Sequence, residues 1–244
     1  MIPHHIVTGS GPPLVLANSL GSNLHMWDGQ AEELARSFTL IRFDARGHGE
    51  SDAPPGPYSI ADFGYDVVDL LDHVGFETAH VAGVSLGGMT AMWLAIHFPQ
   101  RVDRIVPTCT SAQLGPPQMW IDRANAVREG GLEAIAPAVA QNWVTDAALR
   151  PPLEAMIKGN DRDGYIASCA AVEHMDLVPD LHTIMAPTLV ISAKQDPSTP
   201  PEHGERIVAE IPNARLEVLD GAAHLANLER GEEIVRLYRE HLDA

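Results

Sequence analysis

Residues 79 to 98 carry the tightest local constraint in the chain. An apolar run, Ala79 to Val84, enters Gly83-Val84-Ser85-Leu86-Gly87 and continues without a polar loop into a segment of helical period from Gly88 to Phe98. A strand passing directly into a helix requires a sharp turn. Glycines on both sides of Ser85 remove the Cβ atoms that would block the approach of the two elements. The serine is then lifted clear of the sheet edge, in front of a helix N-terminus whose amides have no intrahelical partner. A serine that merely caps a helix would tolerate the same glycines. The motif gains weight only from its context, and both the preceding strand and the following helix are present.

Other short, β-branched runs at Pro13 to Ala17, Thr39 to Phe43, Ile105 to Thr108, Thr188 to Ser192 and Arg215 to Leu219 read as buried strands. Helical periodicity falls between them, at Trp27 to Ser37, Ile60 to Val74, Glu202 to Glu210 and Glu232 to His241. Strands alternating with helices predict an α/β fold with a mostly parallel central sheet and helices on both faces. The alternation breaks between Ser111 and Thr183, where apolar positions keep helical spacing and no strand is evident. Prolines and glycines at Leu114-Gly-Pro-Pro117 and Ile184-Met-Ala-Pro187 bracket the break. The expected organisation is a core of residues 1–111 and 184–244 with a helical cap at 112–183. A cap belongs over the C-terminal edge of the sheet, where ligands bind in open α/β folds.

A formal charge of −17 disfavours nucleic acid or an anionic membrane as partner. An anionic substrate would therefore need a local cation inside its site. The expected partner is a small molecule, and nothing in the chain argues against a homo-oligomer. Cys109 and Cys169 suit neither a metal knuckle nor a redox pair, and the N-terminus has no basic, apolar leader pattern. No apolar stretch is long enough to span a bilayer. A cytoplasmic protein is expected. His4 and His5 lack a further ligand at metal spacing, so no metal is expected.

A serine hydroxyl is a weak nucleophile until a base accepts its proton. Where a serine occupies a strand-to-helix turn of this kind, the acid and then the histidine follow it in the chain. His224 lies in the small-residue loop Asp220-Gly-Ala-Ala-His-Leu225 and fits the base, whereas His203 and His241 lie within helical segments. Asp196 follows the strand ending at Ser192 within a proline-rich loop, and Thr108-Cys-Thr-Ser111, the other place for the acid, holds no carboxylate. Asp196 is thus the better candidate, although aspartates in such loops commonly close Asx-turns. The oxyanion donors expected are the amides of Leu86 and of Leu20, the latter in the early loop Asn18-Ser-Leu-Gly21. His48, within Asp44-Ala-Arg-Gly-His-Gly-Glu-Ser51, reads as loop scaffold in preference to a pocket residue.

Taken in order, the Asn18 loop, the 44–51 run, the serine turn, Asp196 and His224 make the chain resemble the α/β-hydrolases over its whole length. More narrowly, it resembles the 3-oxoadipate enol-lactonases. The resemblance is carried by Asn18-Ser-Leu-Gly-Ser-Asn-Leu-His-Met-Trp27, Asp52-Ala-Pro-Pro-Gly-Pro-Tyr-Ser-Ile60, Ser168-Cys-Ala-Ala171 with Met175-Asp-Leu177, and Ala223-His-Leu-Ala-Asn-Leu-Glu229. It implies a cofactor-free enzyme that opens an enol-lactone in the β-ketoadipate route of aromatic degradation, with reduced opening antiparallel strands here. Such a substrate bears a carboxylate, for which Arg123 is the candidate partner. Glu173 stands where the resemblance implies a basic residue. Trp143 and Trp27 are candidates for the apolar pocket walls.

Overall fold

The computed structural model describes residues 1–243. Its centre is a seven-stranded sheet in the order β1-β3-β2-β4-β5-β6-β7. The strands are β1 (His5–Gly9), β2 (Pro13–Ala17), β3 (Thr39–Phe43), β4 (Ala79–Val84), β5 (Val102–Thr108), β6 (Thr188–Ala193) and β7 (Ala214–Leu219). All neighbours pair in parallel except β1, which runs antiparallel to β3. β4 and β6 are buried at every position. Helices on both faces exclude water from such strands, which is why they read as continuous apolar runs.

The helices packed around the sheet are α1 (Asp28–Leu34), α2 (Ile60–Val74), α3 (Leu86–His97), α8 (Pro201–Glu210), α9 (Ala226–Glu229) and α10 (Gly231–Leu242). A capping box formed by Ser59 and Asp62 starts α2, and Gly75 in the left-handed conformation ends it. Between β5 and β6 the chain forms α4 (Pro117–Gly130), α5 (Ala136–Trp143), α6 (Arg150–Lys158) and α7 (Arg162–Glu173), and no strand. No helix among the described residues is long and apolar enough to cross a membrane.

Strand order explains how distant residues meet. β2 and β4 are paired, with Ala17 opposite Gly83, so the loop after β2 and the turn after β4 emerge side by side. β6 and β7 are paired, with Ala193 opposite Leu219, and this sets the loops carrying Asp196 and His224 beside each other. The connections leave β2 toward β3 and β4 toward β5 in opposite directions, so the crevice of the sheet opens at the ends of β2 and β4.

Candidate active site

Ser85 lies between β4 and α3 at φ 56° and ψ −114°, a conformation side chains rarely adopt. Such strain costs on the order of 1–3 kcal/mol and persists only where the surroundings enforce it. Here the Ser85 N–H donates to Thr108 O at 2.9 Å, and its carbonyl accepts from Met89 N–H at 2.9 Å and the Thr110 hydroxyl at 2.7 Å. The flanking glycines meet a steric demand: a Cβ on Gly83 would lie 2.4 Å from the Gly87 carbonyl carbon, and one on Gly87 would lie 2.3 Å from Ala17 O. Leu86 is the first residue of α3, so its amide has no intrahelical acceptor.

His224 and Asp196, 28 residues apart, meet through Nδ1 and Oδ2 at 2.8 Å, with both side chains almost wholly buried. Asp196 Oδ1 accepts the Ser198 and Thr199 amides at 2.8 and 3.1 Å, and Oδ2 also accepts the Thr199 hydroxyl at 2.7 Å. Burial works to raise this carboxyl, but His224 and the Thr199 donors outweigh it and hold it below the usual carboxylate value. Since Nδ1 faces Asp196, Nε2 is the imidazole nitrogen left for chemistry. The neighbours of His224 are pinned as well: Ala223 N–H donates to Glu229 Oε2 and Leu225 N–H to Trp143 O, each at 2.8 Å.

Ser85 and His224 line one cavity of about 190 Å³, together with Leu20, Trp120, Arg123 and Trp143. The structure thus brings together five of the residues singled out in the sequence, and Asp196 backs them through His224. Arg123 is the cation of the cavity. Its guanidinium lies over the Trp120 and Tyr165 rings at 5.3 and 5.5 Å, and its buried Nε has no hydrogen-bond acceptor. No carboxylate of the described residues pairs with it, in contrast to Arg46, whose Nε lies 2.7 Å from Asp66. An unneutralised guanidinium in a partly dry, aromatic-walled cavity suits an anionic ligand.

Two expectations need correction or relocation. Trp27 is not a wall of this cavity: it is fully buried, donates Nε1–H to Asn18 Oδ1 at 2.9 Å and packs against Tyr238. Glu173 is also absent from the lining and lies 3.7 Å from His174. Thr199, with no motif to mark it, was not legible as a partner of Asp196. Its only sequence signal is its position three residues after that aspartate. Among the described residues, no three His, Cys, Asp or Glu side chains are grouped so as to hold a metal ion.

Comparison with known proteins agrees with this architecture. The family described as alpha/beta hydrolase fold matches residues 12–133 and 138–231. A 3-oxoadipate enol-lactonase 2 of Acinetobacter baylyi is 40% identical over 225 residues, which span 90% of this chain and 84% of that protein. The crystal structure of the enol-lactonase from Burkholderia xenovorans LB400 aligns with a TM-score of 0.96 at 33% identity, covering 99% of this chain and 96% of that one. A hydrolase from Pseudomonas aeruginosa PA01 aligns with a TM-score of 0.94 at 40% identity, covering 98% and 94%. With the family match running through nearly the whole chain and a relative 40% identical over most of its length, this protein belongs to the α/β-hydrolase family.

Proposed function

We propose that the chain hydrolyses a carboxylate-bearing lactone or ester by acyl-enzyme chemistry, with 3-oxoadipate enol-lactone as its substrate and Ser85, His224 and Asp196 as its catalytic triad. The observation that carries the reading is the shared cavity, which an Arg123 without a carboxylate partner lines together with Ser85 and His224. Similarity to the enol-lactonases supports the substrate. The helical segment 112–183 acts as the cap, since it supplies Leu114, Met119, Trp120, Arg123, Val139 and Trp143 to that cavity. Cys109 and Cys169 are both free and buried, in keeping with a cytoplasmic setting.

In this mechanism Ser85 Oγ attacks the lactone carbonyl while His224 Nε2 takes its proton. The Leu20 and Leu86 amides stabilise the oxyanion, and Asp196 stabilises the imidazolium. Collapse breaks the ring C–O bond and leaves an enolate still tethered to the acyl group; conjugation stabilises it, and the proton held on His224 passes to it, giving the ketone and a neutral imidazole. His224 then activates water to free the acyl group. Arg123 holds the carboxylate distant from the reacting centre and gives the site its preference for anions.

Two variants test the reading. Ser85→Ala lowers kcat by roughly 10⁴- to 10⁶-fold, the scale seen when a triad nucleophile is removed. Arg123→Met raises KM for the anionic enol-lactone by about 10- to 100-fold, as expected for a lost charged hydrogen bond, and leaves a neutral ester unchanged. Near-full hydrolysis by the serine variant refutes the nucleophile. Equal losses on both substrates refute the carboxylate role and favour a general carboxylesterase.

A further inference from the structure

An oxyanion donor assists only if it is aimed before the charge develops, and a donor on a loop needs its peptide plane held by neighbours. Leu20 lies on such a loop, beside Ser85 in the cavity lining, and no acceptor among the described residues takes its N–H. Three successive peptide groups of this loop are nevertheless fixed. Ser19 O accepts Ser22 N–H at 3.0 Å and the Ser22 hydroxyl at 2.7 Å. Because a trans peptide points its N–H opposite its C=O, this also directs the Leu20 N–H away from those donors. Gly21 N–H donates to His48 Nε2 at 2.9 Å, and Gly21 O accepts from Asn160 Nδ2 at 2.7 Å.

We propose that His48 and Asn160 are positioning residues of the oxyanion loop, clamping both polar groups of Gly21 so that the Leu20 N–H stays aimed at the reacting centre. The inference rests on the acyl-transfer reading above.

The chemistry of the two side chains fits the task. His48 Nδ1 donates to Arg46 O at 3.0 Å, which leaves Nε2 as the acceptor that Gly21 requires. Asn160 Oδ1 accepts Gly49 N–H at 3.0 Å, while its Nδ2 faces the carbonyls of Gly21, Met156 and Ile157. One N–H and three carbonyls admit a single orientation of the amide. Both side chains are buried, so neither clamp competes with solvent. Asn160 lies between α6 and α7, 139 residues from Gly21. The helical segment therefore reaches into the sheet domain to hold the loop, and displacement of the cap would release one half of the clamp.

The test separates aim from binding. A trifluoromethyl ketone with a terminal carboxylate is attacked by Ser85 Oγ; its hydroxyl proton passes to His224, and the carbonyl oxygen takes the electron pair as an oxyanion. Adipate, a ground-state competitor, forms no oxyanion. Asn160→Ala is expected to lower kcat by about 10- to 100-fold, less than the roughly 10²- to 10³-fold for outright loss of an oxyanion donor because the Leu20 N–H is misaimed and not removed. It should weaken the ketone by a similar factor and leave adipate affinity and KM within about threefold. His48→Phe, which keeps a ring and removes the acceptor for Gly21 N–H, should do the same, and the double variant should lose less than the product of the single losses because both act on one loop. If Asn160→Ala melts below assay temperature, Asn160→Asp carries the test, because it keeps the acceptor for Gly49 N–H. A folded variant with unchanged kcat and ketone affinity overturns the inference, as do equal losses for ketone and adipate. Wild-type protein that fails to form the ketone adduct overturns the acyl-transfer reading instead.

Discussion

Thr199 donates its hydroxyl to Asp196 Oδ2 at 2.7 Å, on the same oxygen that meets His224 Nδ1 at 2.8 Å. With two amides on Oδ1, the carboxylate is held from four directions and its rotation is blocked. Thr199→Val preserves the shape and removes one charge-assisted hydrogen bond from a buried group. A fall in kcat of about tenfold is expected, equivalent to roughly 1.4 kcal/mol in the barrier, with Thr199→Ser restoring most of it. The stability effect has a definite sign. Asp196 is held below its unfolded value, so its contribution is present above that value and lost as pH falls through the folded one. Urea denaturation should therefore show the variant weaker than wild type at pH 7, with the gap narrowing below about pH 4. A gap independent of pH would contradict the role given to the hydroxyl.

The 44–52 loop meets α7 at Gly47 and Gly164, and a Cβ on Gly164 would lie 2.5 Å from Gly47 Cα. Backbone cannot retreat as a flexible side chain would. Gly164→Ala gains about 0.5–1 kcal/mol of helix propensity but forces apart two packed segments, at a cost of about 1–3 kcal/mol. The clash should win. A drop in Tm of about 2–8 °C is expected for a chain of this size, with a reduced kcat because Asn160 rides on the same segment. Gly29 in α1 is the control: a Cβ there meets nothing within 4 Å, so Gly29→Ala should leave Tm unchanged or raise it. Equal effects at the two glycines would show that propensity, not the close approach, sets the outcome.

Legibility in the sequence followed burial. β2, β3 and β4 have the boundaries expected from their apolar runs, because strands covered on both faces announce themselves by composition alone. β1, His5–Gly9, is not marked by its own residues and is implied only by the resemblance, with its reduced opening antiparallel strands: it is a partly exposed edge strand whose pairing with β3 is antiparallel and non-local. At the helix ends, α1 closes at Leu34, short of the periodic pattern reaching Ser37. Ser85, Asp196 and His224 stand out as candidates because chain order and loop chemistry narrow the choice, and the structure sets His224 against Asp196 and in one cavity with Ser85. Asn160 could not, since its contact with Gly21 joins two loops with no shared pattern. Trp27 was misplaced for a related reason: hydrophobic size signals burial but does not say which cavity, if any, a ring borders.

His241 on α10 gives the fold a second acid-sensitive point, remote from Asp196. Its ring is buried and donates Nε2–H to Pro187 O at 3.2 Å, immediately before β6. Burial pushes its pKa down to about 4, more than the Pro187 carbonyl raises it, and Arg104 and Arg215 lower it further. The unfolded chain therefore takes up this proton first. Stability is complete above the unfolded value of 6.5 and is lost as pH falls from there toward 4. One proton sets an upper bound of about 1.4 kcal/mol per pH unit, before solvent screening reduces it. His241→Gln retains a donor for Pro187 O and removes the titration. Its urea midpoint should fall less steeply than that of wild type between pH 6.5 and 4.5, with the two converging above pH 7 apart from a constant offset. Parallel curves through the acid range would show that His241 charges without cost to the fold.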